Sequence, residues 1–522
     1  MTDTHFAITV LISLLLVSSC VAIAAKWIRV PYTLMLVIVG LIVSPMHFLP
    51  SVHISPDLIL LIFLPALLFE ASWNLNFSHL RENLWPILLL VVPGVFLAVG
   101  VIGILLHLGT GMAWSSAFLF GAMISATDPV SVLALFKKLN VPARLSTIIE
   151  GESLFNDGTA TVVFRIVLGI AMGVTASSAE ELFWNSLREF FLIIFGGIAV
   201  GSAIGLAASK LTSFFDDHLL EITLTTIAAF GSYLVAELLD VSPVISVLVA
   251  GLIIGNYGRK TGMSPTTQVA VNSFWEYAAF VANSLVFLLM GMEIQFSMFQ
   301  NVPVIFWAVF SMLVARMAAV YGLIPILHRS GIALPIRWQH VLFWGGLRGS
   351  LSIALVLSLP TNLPGRSTLV IMVFGAVSFS LLAQGLTMSP LMRRLKLAQL
   401  DARSRNLELL QARMLAETDA LKEVERLRSQ GRISDVVQQE LRRQITESQE
   451  QLRSLVSELN FKEPHLVQRE LLHYYHHLLD VKKARLSELL REGLLSADNY
   501  HELIALLDKD LEKRIAERAS EI

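Results

Sequence analysis

124-ISATDPVSVLALF-136 interrupts a long apolar run with a hydroxyl, a carboxylate and a proline on consecutive residues, Thr127, Asp128 and Pro129. Proline has no backbone N–H to donate to a helix, and it pushes the preceding residue out of helical dihedrals. A carboxylate at lipid depth costs a few kcal/mol, so it normally faces a cavity or a partner. The stretch reads as a helix broken around a polar site, provided that its surroundings lie in a membrane. A second interruption, 345-GGLRG-349, has the same character, with glycines as breakers and Arg348 as the charge.

Composition places the surroundings in a membrane. Of 522 residues, 55% are hydrophobic and only 15% charged, where soluble chains average roughly a quarter charged. The mean hydropathy is +0.66. Residues 1–392 hold 16 Lys/Arg and 18 Asp/Glu, and residues 393–522 hold 23 of each. A transmembrane domain, 1–392, is therefore followed by a water-soluble helical tail, 393–522. The net charge of −2 and the lack of a basic run interleaved with aromatics give no sign of a nucleic-acid partner. A single cysteine, Cys20, leaves no internal disulfide and no cysteine metal cluster. The opening apolar run lacks the positively charged flank of a secretory signal, carrying only Asp3, and reads as a first span.

A span needs about 20 mostly apolar residues. Thirteen candidates follow: 6–25, 32–49, 54–73, 84–107, 113–136, 145–174, 189–209, 219–238, 241–257, 269–295, 301–327, 338–359 and 367–390. Two pairs of neighbouring spans nearly touch, at Pro50 and at Asp240. With the N-terminus outside, fourteen Lys/Arg of the connections fall inside, and only Arg188 and Arg366 fall outside. This positive-inside bias makes the tail cytoplasmic. An odd count lets spans 1–6 and 8–13 form two inverted units, a recurrent plan of secondary transporters whose site lies where helices are broken at mid-membrane. The two interruptions fall in the matching spans, 5 and 12. The expected fold class is an all-α polytopic membrane protein of about thirteen spans in two inverted repeats.

Charges well inside lipid depth are few: Asp128, Glu152, Asp157, Arg165, Arg316 and Arg348. Asp157 sits about 18 Å along its span at 1.5 Å per residue. At ~100° per residue, Glu152, Asn156, Ser153 and Asp157 share one broad helical face, with i,i+4 pairs at 152/156 and 153/157. Oxygen donors of this kind suit hard cations, and no His or Cys invites zinc or copper. Carbonyls freed at the break near Thr127 join Asp128 as further candidate ligands. Burial disfavours a charged carboxylate, so Asp157 would hold either a proton or a small cation. That competition is what an exchanger requires. Asn156 would add an oxygen and an amide without a second titratable charge, so one cation would exchange for one proton. Glu152 is assigned to an arginine. Arg165 reads as structural or interfacial.

Two other classes are weighed. An intramembrane aspartyl protease using Asp128 and Asp157 would need a Gly-x-Gly-Asp motif, which is absent, and Ser153 has no histidine at comparable depth in a neighbouring span. A channel would conduct without proton coupling, and a single site flanked by broken helices suits alternating access better. The site is therefore read as that of a transporter with no enzyme activity and no cofactor beyond its ions. The closest rival is a potassium/proton exchanger on the same scaffold, because nothing in the ligand set separates Na+, Li+ and K+.

The segments 62-IFLPALLFEASW-73, 126-ATDPV-130, 151-GESLFNDGTATVVF-164, 313-LVARMAAVY-321 and 344-WGGLRGSLSIALVLSLP-360 resemble, in order, those of NhaP-type sodium/proton antiporters of the monovalent cation:proton antiporter family. The resemblance covers residues 1–392. It implies a thirteen-helix, inverted-repeat homodimer with crossed unwound helices, in which spans 4–6 and 11–13 move as a core against a dimerisation unit. It implies Na+ bound by Asp157, Asp128, Ser153 and the Thr127 main chain, some of them through water. Asn156 would be the asparagine associated with electroneutral exchange, Glu152 would pair with Arg316, and Arg348 would stabilise the crossing. A plasma-membrane location and a role in pH homeostasis follow in the same way.

The tail matches no such pattern. Residues 398–459 have helical periodicity with dense mixed charge, punctuated by Gly431 and Pro464, and read as two or three amphipathic helices. They could serve regulation or dimer contact, or be a solvated helical tail. His473 and His477 are i,i+4, but no further ligand stands at clear spacing.

Overall fold

The computed structural model describes residues 3–25, 27, 31–44, 56–139, 141–173, 179–214, 217–293, 301–328, 334–397, 402–430 and 432–462, with scattered positions between 478 and 507. The described residues are helical with no strand, and the chain divides into two compact units, Met1–Ala398 and Gln399–Ile522.

Helices in the first unit follow the apolar runs. They are α1 (Asp3–Ala25), α2 (Tyr32–Val43), α3 (Leu64–Asn74, entered through a π-helical turn at Leu58–Phe63), the short α4 (Phe77–Glu82), α5 (Leu84–Thr110), α6 (Trp114–Ser125), α7 (Val130–Leu139), α8 (Ala143–Ala171), α9 (Ala179–Thr212) and α10 (His218–Leu238). Then come α11 (Pro243–Ile253), α12 (Arg259–Thr261), α13 (Pro265–Glu293), α14 (Val302–His328), α15 (Ile336–Trp344), α16 (Ser350–Leu357), α17 (Arg366–Phe379) and α18 (Gly385–Arg394). Among the described residues, eight spans are long and apolar enough to cross a membrane, and four more apolar helices are shorter. The segments read as single spans at 113–136 and 338–359 are each two half-helices, α6/α7 and α15/α16. Lys26, Arg29, Arg329, Pro50, Gly431, Pro464, His473 and His477 lie outside the described residues.

Local chemistry sets the helix ends. Asp217 caps α10 by accepting from the Leu219 and Leu220 N–H groups at 2.8 and 3.2 Å. Ser242 caps α11, with Pro243 at the first helical position, where its missing N–H costs nothing. Asp240, where two spans nearly touch in the sequence, sits in the turn between these helices at φ 56°.

Two bundles emerge within this unit. In one, α5 packs on α14, α6 and α8, and α14 on α17, while α16 packs on α6 and α17. In the other, α13 packs on α2, α3 and α10, and α11 packs on α3, α9 and α10. Small residues let backbones approach closely in membrane helix pairs, and α2 crosses α13 at Gly40 and Gly291. A Cβ on Gly40 would lie 2.9 Å from Gly291 Cα, and one on Gly291 would lie 2.9 Å from Val37 Cα.

The second unit contains an antiparallel hairpin, α19 (Ala402–Ser429) on α20 (Asp435–Lys462). Val424 and Leu452 are buried in it. Ser448 donates to Glu417 at 2.8 Å, and Arg428 meets Asp435 at 3.0 Å across the turn. The remaining ion pairs are exposed and contribute little to stability.

Gly291→Val would overfill the α2–α13 crossing, and overpacking costs about 1–3 kcal/mol. A clearly lowered thermal midpoint of the detergent-purified protein is expected. Gly100→Ala, whose added methyl meets nothing within 4 Å, should leave the midpoint unchanged or slightly raised.

Candidate functional site

The two interrupted helices meet at their breaks. The Asp128 N–H donates to the Leu347 carbonyl at 2.8 Å, which ties one break directly to the other. An interruption in an apolar interior leaves helix-end carbonyls and N–H groups that must find partners inside the protein. Here they find charged side chains. The Arg348 guanidinium donates through Nη1 to the Ser125 and Ala126 carbonyls at the end of α6, at 2.8 and 3.1 Å. Arg316 does the same for α15, donating from Nε and Nη2 to the Leu342 carbonyl at 3.2 and 2.8 Å. Each cation thus sits at the negative end of a half-helix. Asp128 occupies the complementary position at the start of α7, where its Oδ1 accepts from the Val130 N–H at 2.9 Å.

The glycines of 345–349 do more than break the helix. A Cβ on Gly346 would lie 2.7 Å from Arg316 Nε, and one on Gly349 would lie 2.8 Å from Asp128 Cγ. Only glycine leaves room for both charged groups. The Arg348 N–H is held in turn by the Ser380 hydroxyl at 2.8 Å, at the start of a π-helical turn between α17 and α18.

α8 supplies the remaining groups, and its two i,i+4 pairs perform separate tasks. Glu152 accepts both Arg316 Nη groups, at 2.6 and 2.9 Å, with the two residues 2% and 8% exposed. Asn156 donates to the Ser125 carbonyl at 2.8 Å and to the Thr127 hydroxyl at 3.2 Å. Ser153 donates to the Thr127 carbonyl. Asp157 Oδ1 is buried without a hydrogen-bond partner among the described residues.

A cavity of about 70 Å³ opens onto this junction. Thr127, Asp128, Ser153 and Asp157 line it, as do Gly349 and Ser350 at the start of α16. Four of the expected ligands are therefore brought to one wall. Asn156 is not on that wall. Its amide braces the break, and its Oδ1, read from sequence as a ligand, is buried with no partner among the described residues. The Thr127 carbonyl already accepts the Ser153 hydroxyl, and the Ser125 and Ala126 carbonyls serve Arg348, so the freed backbone is largely committed to holding the junction. Two contributors escaped sequence reading: the Leu347 carbonyl, which carries no side-chain signal, and Asn283 of α13, which reaches the cavity from the other bundle. Arg165 lies apart, half-buried, 3.4 Å from Asp240 and 3.5 Å from the Val241 carbonyl. No group of three or more His, Cys, Asp or Glu able to hold a metal occurs among the described residues. The oxygen set at the cavity, two carboxylates with hydroxyls and main chain, suits a monovalent hard cation as cargo.

Removing one partner of a buried ion pair leaves the other charge uncompensated, at about 3–5 kcal/mol. Glu152→Gln and Arg316→Met should each lower the thermal midpoint markedly. The double variant should regain part of the loss, as read in a double-mutant cycle.

With the geometry in place, similarity to other proteins becomes informative. The chain is 38% identical over 513 residues to the Na(+)/H(+) antiporter NhaG of Bacillus atrophaeus, covering 95% of each chain, so the likeness extends into the tail. It is 44% identical over 391 residues to the Na(+)/H(+) antiporter ApNhaP of Aphanothece halophytica, covering 74% of each. The fold resembles the solved sodium proton antiporter MjNhaP1 of Methanocaldococcus jannaschii at pH 8, with a TM-score of 0.63 and 21% identity over 76% of this chain and all of that one. Residues 12–394 match the transmembrane sodium/hydrogen exchanger family, and the chain is a member of that family of secondary transporters.

Proposed function

We propose that the protein exchanges Na+ for H+ across the plasma membrane by alternating access, with Asp157 as the shared carrier. The observation that carries this reading is Asp157 itself: a carboxylate with a buried, unpartnered oxygen on the wall of a small cavity at the crossing of two broken helices. Asp128, Ser153 and the Thr127 main chain complete the cation site beside it. Asn156 keeps the site to one titratable carrier by bracing the break with a neutral amide.

Charge balance supports one-for-one, electroneutral exchange. Asp128, Glu152 and Asp157 face Arg316 and Arg348, so the buried cluster carries three carboxylates against two guanidiniums. It lacks one positive charge. A proton or a monovalent cation on Asp157 supplies that charge equally well, and the empty carrier is the least favourable state to carry across. Coupling follows because only the neutral cluster is cheap to move.

The remaining proposals follow from charge placement and family membership. Thirteen spans place the N-terminus outside and the tail in the cytoplasm, where it has a regulatory role. The bundle of α5–α8 and α14–α18 moves against the other bundle, through which two copies form a dimer. The cell uses the cycle to expel sodium against inward protons, for pH and sodium homeostasis.

The test is proton movement in proteoliposomes driven by Na+, Li+ or K+, with the membrane potential clamped and free. Sodium-driven exchange that ignores the potential is expected, and Asp157→Asn should reduce it to the level of protein-free vesicles. Exchange that survives the substitution would move the carrier elsewhere, a potassium preference would reassign the cargo, and cation flux without protons would overturn the reading. Because protons and sodium compete for one group, half-saturating sodium should rise with acidification, approaching about tenfold per pH unit once the carrier is mostly protonated.

A further inference from the structure

Every charged group on the cavity wall belongs to the α5–α8 and α14–α18 bundle. The facing side, contributed by α3, is apolar: Leu64, Leu67, Leu68 and Ala71. One residue departs from that pattern. Asn283 of α13 lines the same cavity, and its amide has no protein hydrogen-bond partner among the described residues.

The position of Asn283 is set chiefly by the second bundle, where α13 packs on α2, α3 and α10, with a smaller contact to α16. The neighbouring Ser284 hydroxyl meets the Tyr32 hydroxyl of α2, and Tyr32 also donates to the Phe280 carbonyl at 3.3 Å. Farther along α13, the backbone crosses α2 at Gly291 and Gly40. This stretch of α13 is thus clamped to α2, while Asp157, Asp128 and Ser153 are clamped to the crossed breaks. A polar amide in an otherwise apolar wall loses hydration unless something in the cavity replaces it. The cavity, about 70 Å³, has room for only a few water-sized bodies. A cation on Asp157 would share this small cavity with Asn283.

We propose that Asn283 is the second bundle's ligand to the transported cation, directly or through one water, and that it strengthens sodium binding while the two bundles stand as they do here. Because Asn283 stays with α2 when the other bundle moves, this contribution belongs to one side of the transport cycle. The amide has no proton to exchange, so it acts on the cation and leaves the carrier's proton to Asp157. The inference rests on the sodium/proton reading above.

The test compares half-saturating sodium, at a pH alkaline enough to deprotonate the carrier, for wild type, Asn283→Leu and Asn283→Asp in proteoliposomes. Losing one ligand interaction should raise half-saturating sodium about five- to tenfold in Asn283→Leu. Asn283→Asp keeps an oxygen at the position and should bring the value back toward wild type. Should Asn283→Leu fail to elute as a monodisperse peak, Asn283→Ala is read in the same way. A wild-type half-saturation in the apolar variant would overturn the proposal, and so would an equal shift in Asn283→Asp. Wild-type vesicles without sodium-driven proton movement would overturn the exchange reading itself, and this proposal with it.

Discussion

A helix interrupted in an apolar interior must have its orphaned backbone groups satisfied by the protein, because no lipid tail can do it. Arg348 holds the α6 carbonyls and Arg316 holds an α15 carbonyl, while Asp128 caps α7. Much else about the site follows from those three contacts. Two buried guanidiniums require carboxylates nearby, which accounts for Glu152. The approach of Arg316 and of Asp128 requires residues without side chains at Gly346 and Gly349 respectively. The direct bond from Asp128 to Leu347 then makes the two breaks one rigid junction.

A junction built this way separates holding from binding. Glu152, Asn156, Arg316 and Arg348 lie off the cavity wall, and the hydrogen bonds they make go to one another, to Thr127 and to the backbone. Asp157 is left with an unengaged buried oxygen beside a cavity, in a cluster one positive charge short of neutral. Preorganised dipoles and charges around an unengaged carboxylate oxygen are what a site needs to bind a small cation and a proton interchangeably, since neither ligand must first rearrange the wall. In the proposed cycle the same rigidity would let the junction travel as a body, with the charges on it carried along rather than exposed to lipid one at a time.

Much of this was legible in the sequence. The breaks at Thr127–Pro129 and Gly345–Gly349 carry their own signals, a proline or glycines with a charge inside an apolar run. The i,i+4 arithmetic placed Glu152, Ser153, Asn156 and Asp157 on one face, although it could not say that Glu152 turns to Arg316 and Asn156 to the end of α6, while 153/157 turns to the cavity. That division depends on where α6 and α14 pack, which periodicity does not encode. Asn156 shows the limit well: an amide reads equally as a ligand or as a brace, and only the position of the Ser125 carbonyl distinguishes them. Asn283 was not legible because a lone asparagine in a long apolar helix has no partner in its own segment. The cavity that gives it meaning is assembled from residues some 130 to 220 positions earlier and some 70 positions later in the chain.

The central physical claim is that a proton and a sodium ion compete for Asp157. Its most direct measurement is proton release from the purified protein in weakly buffered detergent solution when sodium is added, at a pH where the carrier is mostly protonated. Close to one proton released per chain, saturating with sodium and absent in Asp157→Asn, is the expected result. Sodium binding detected as heat with no proton released, or release undiminished in Asp157→Asn, would contradict it.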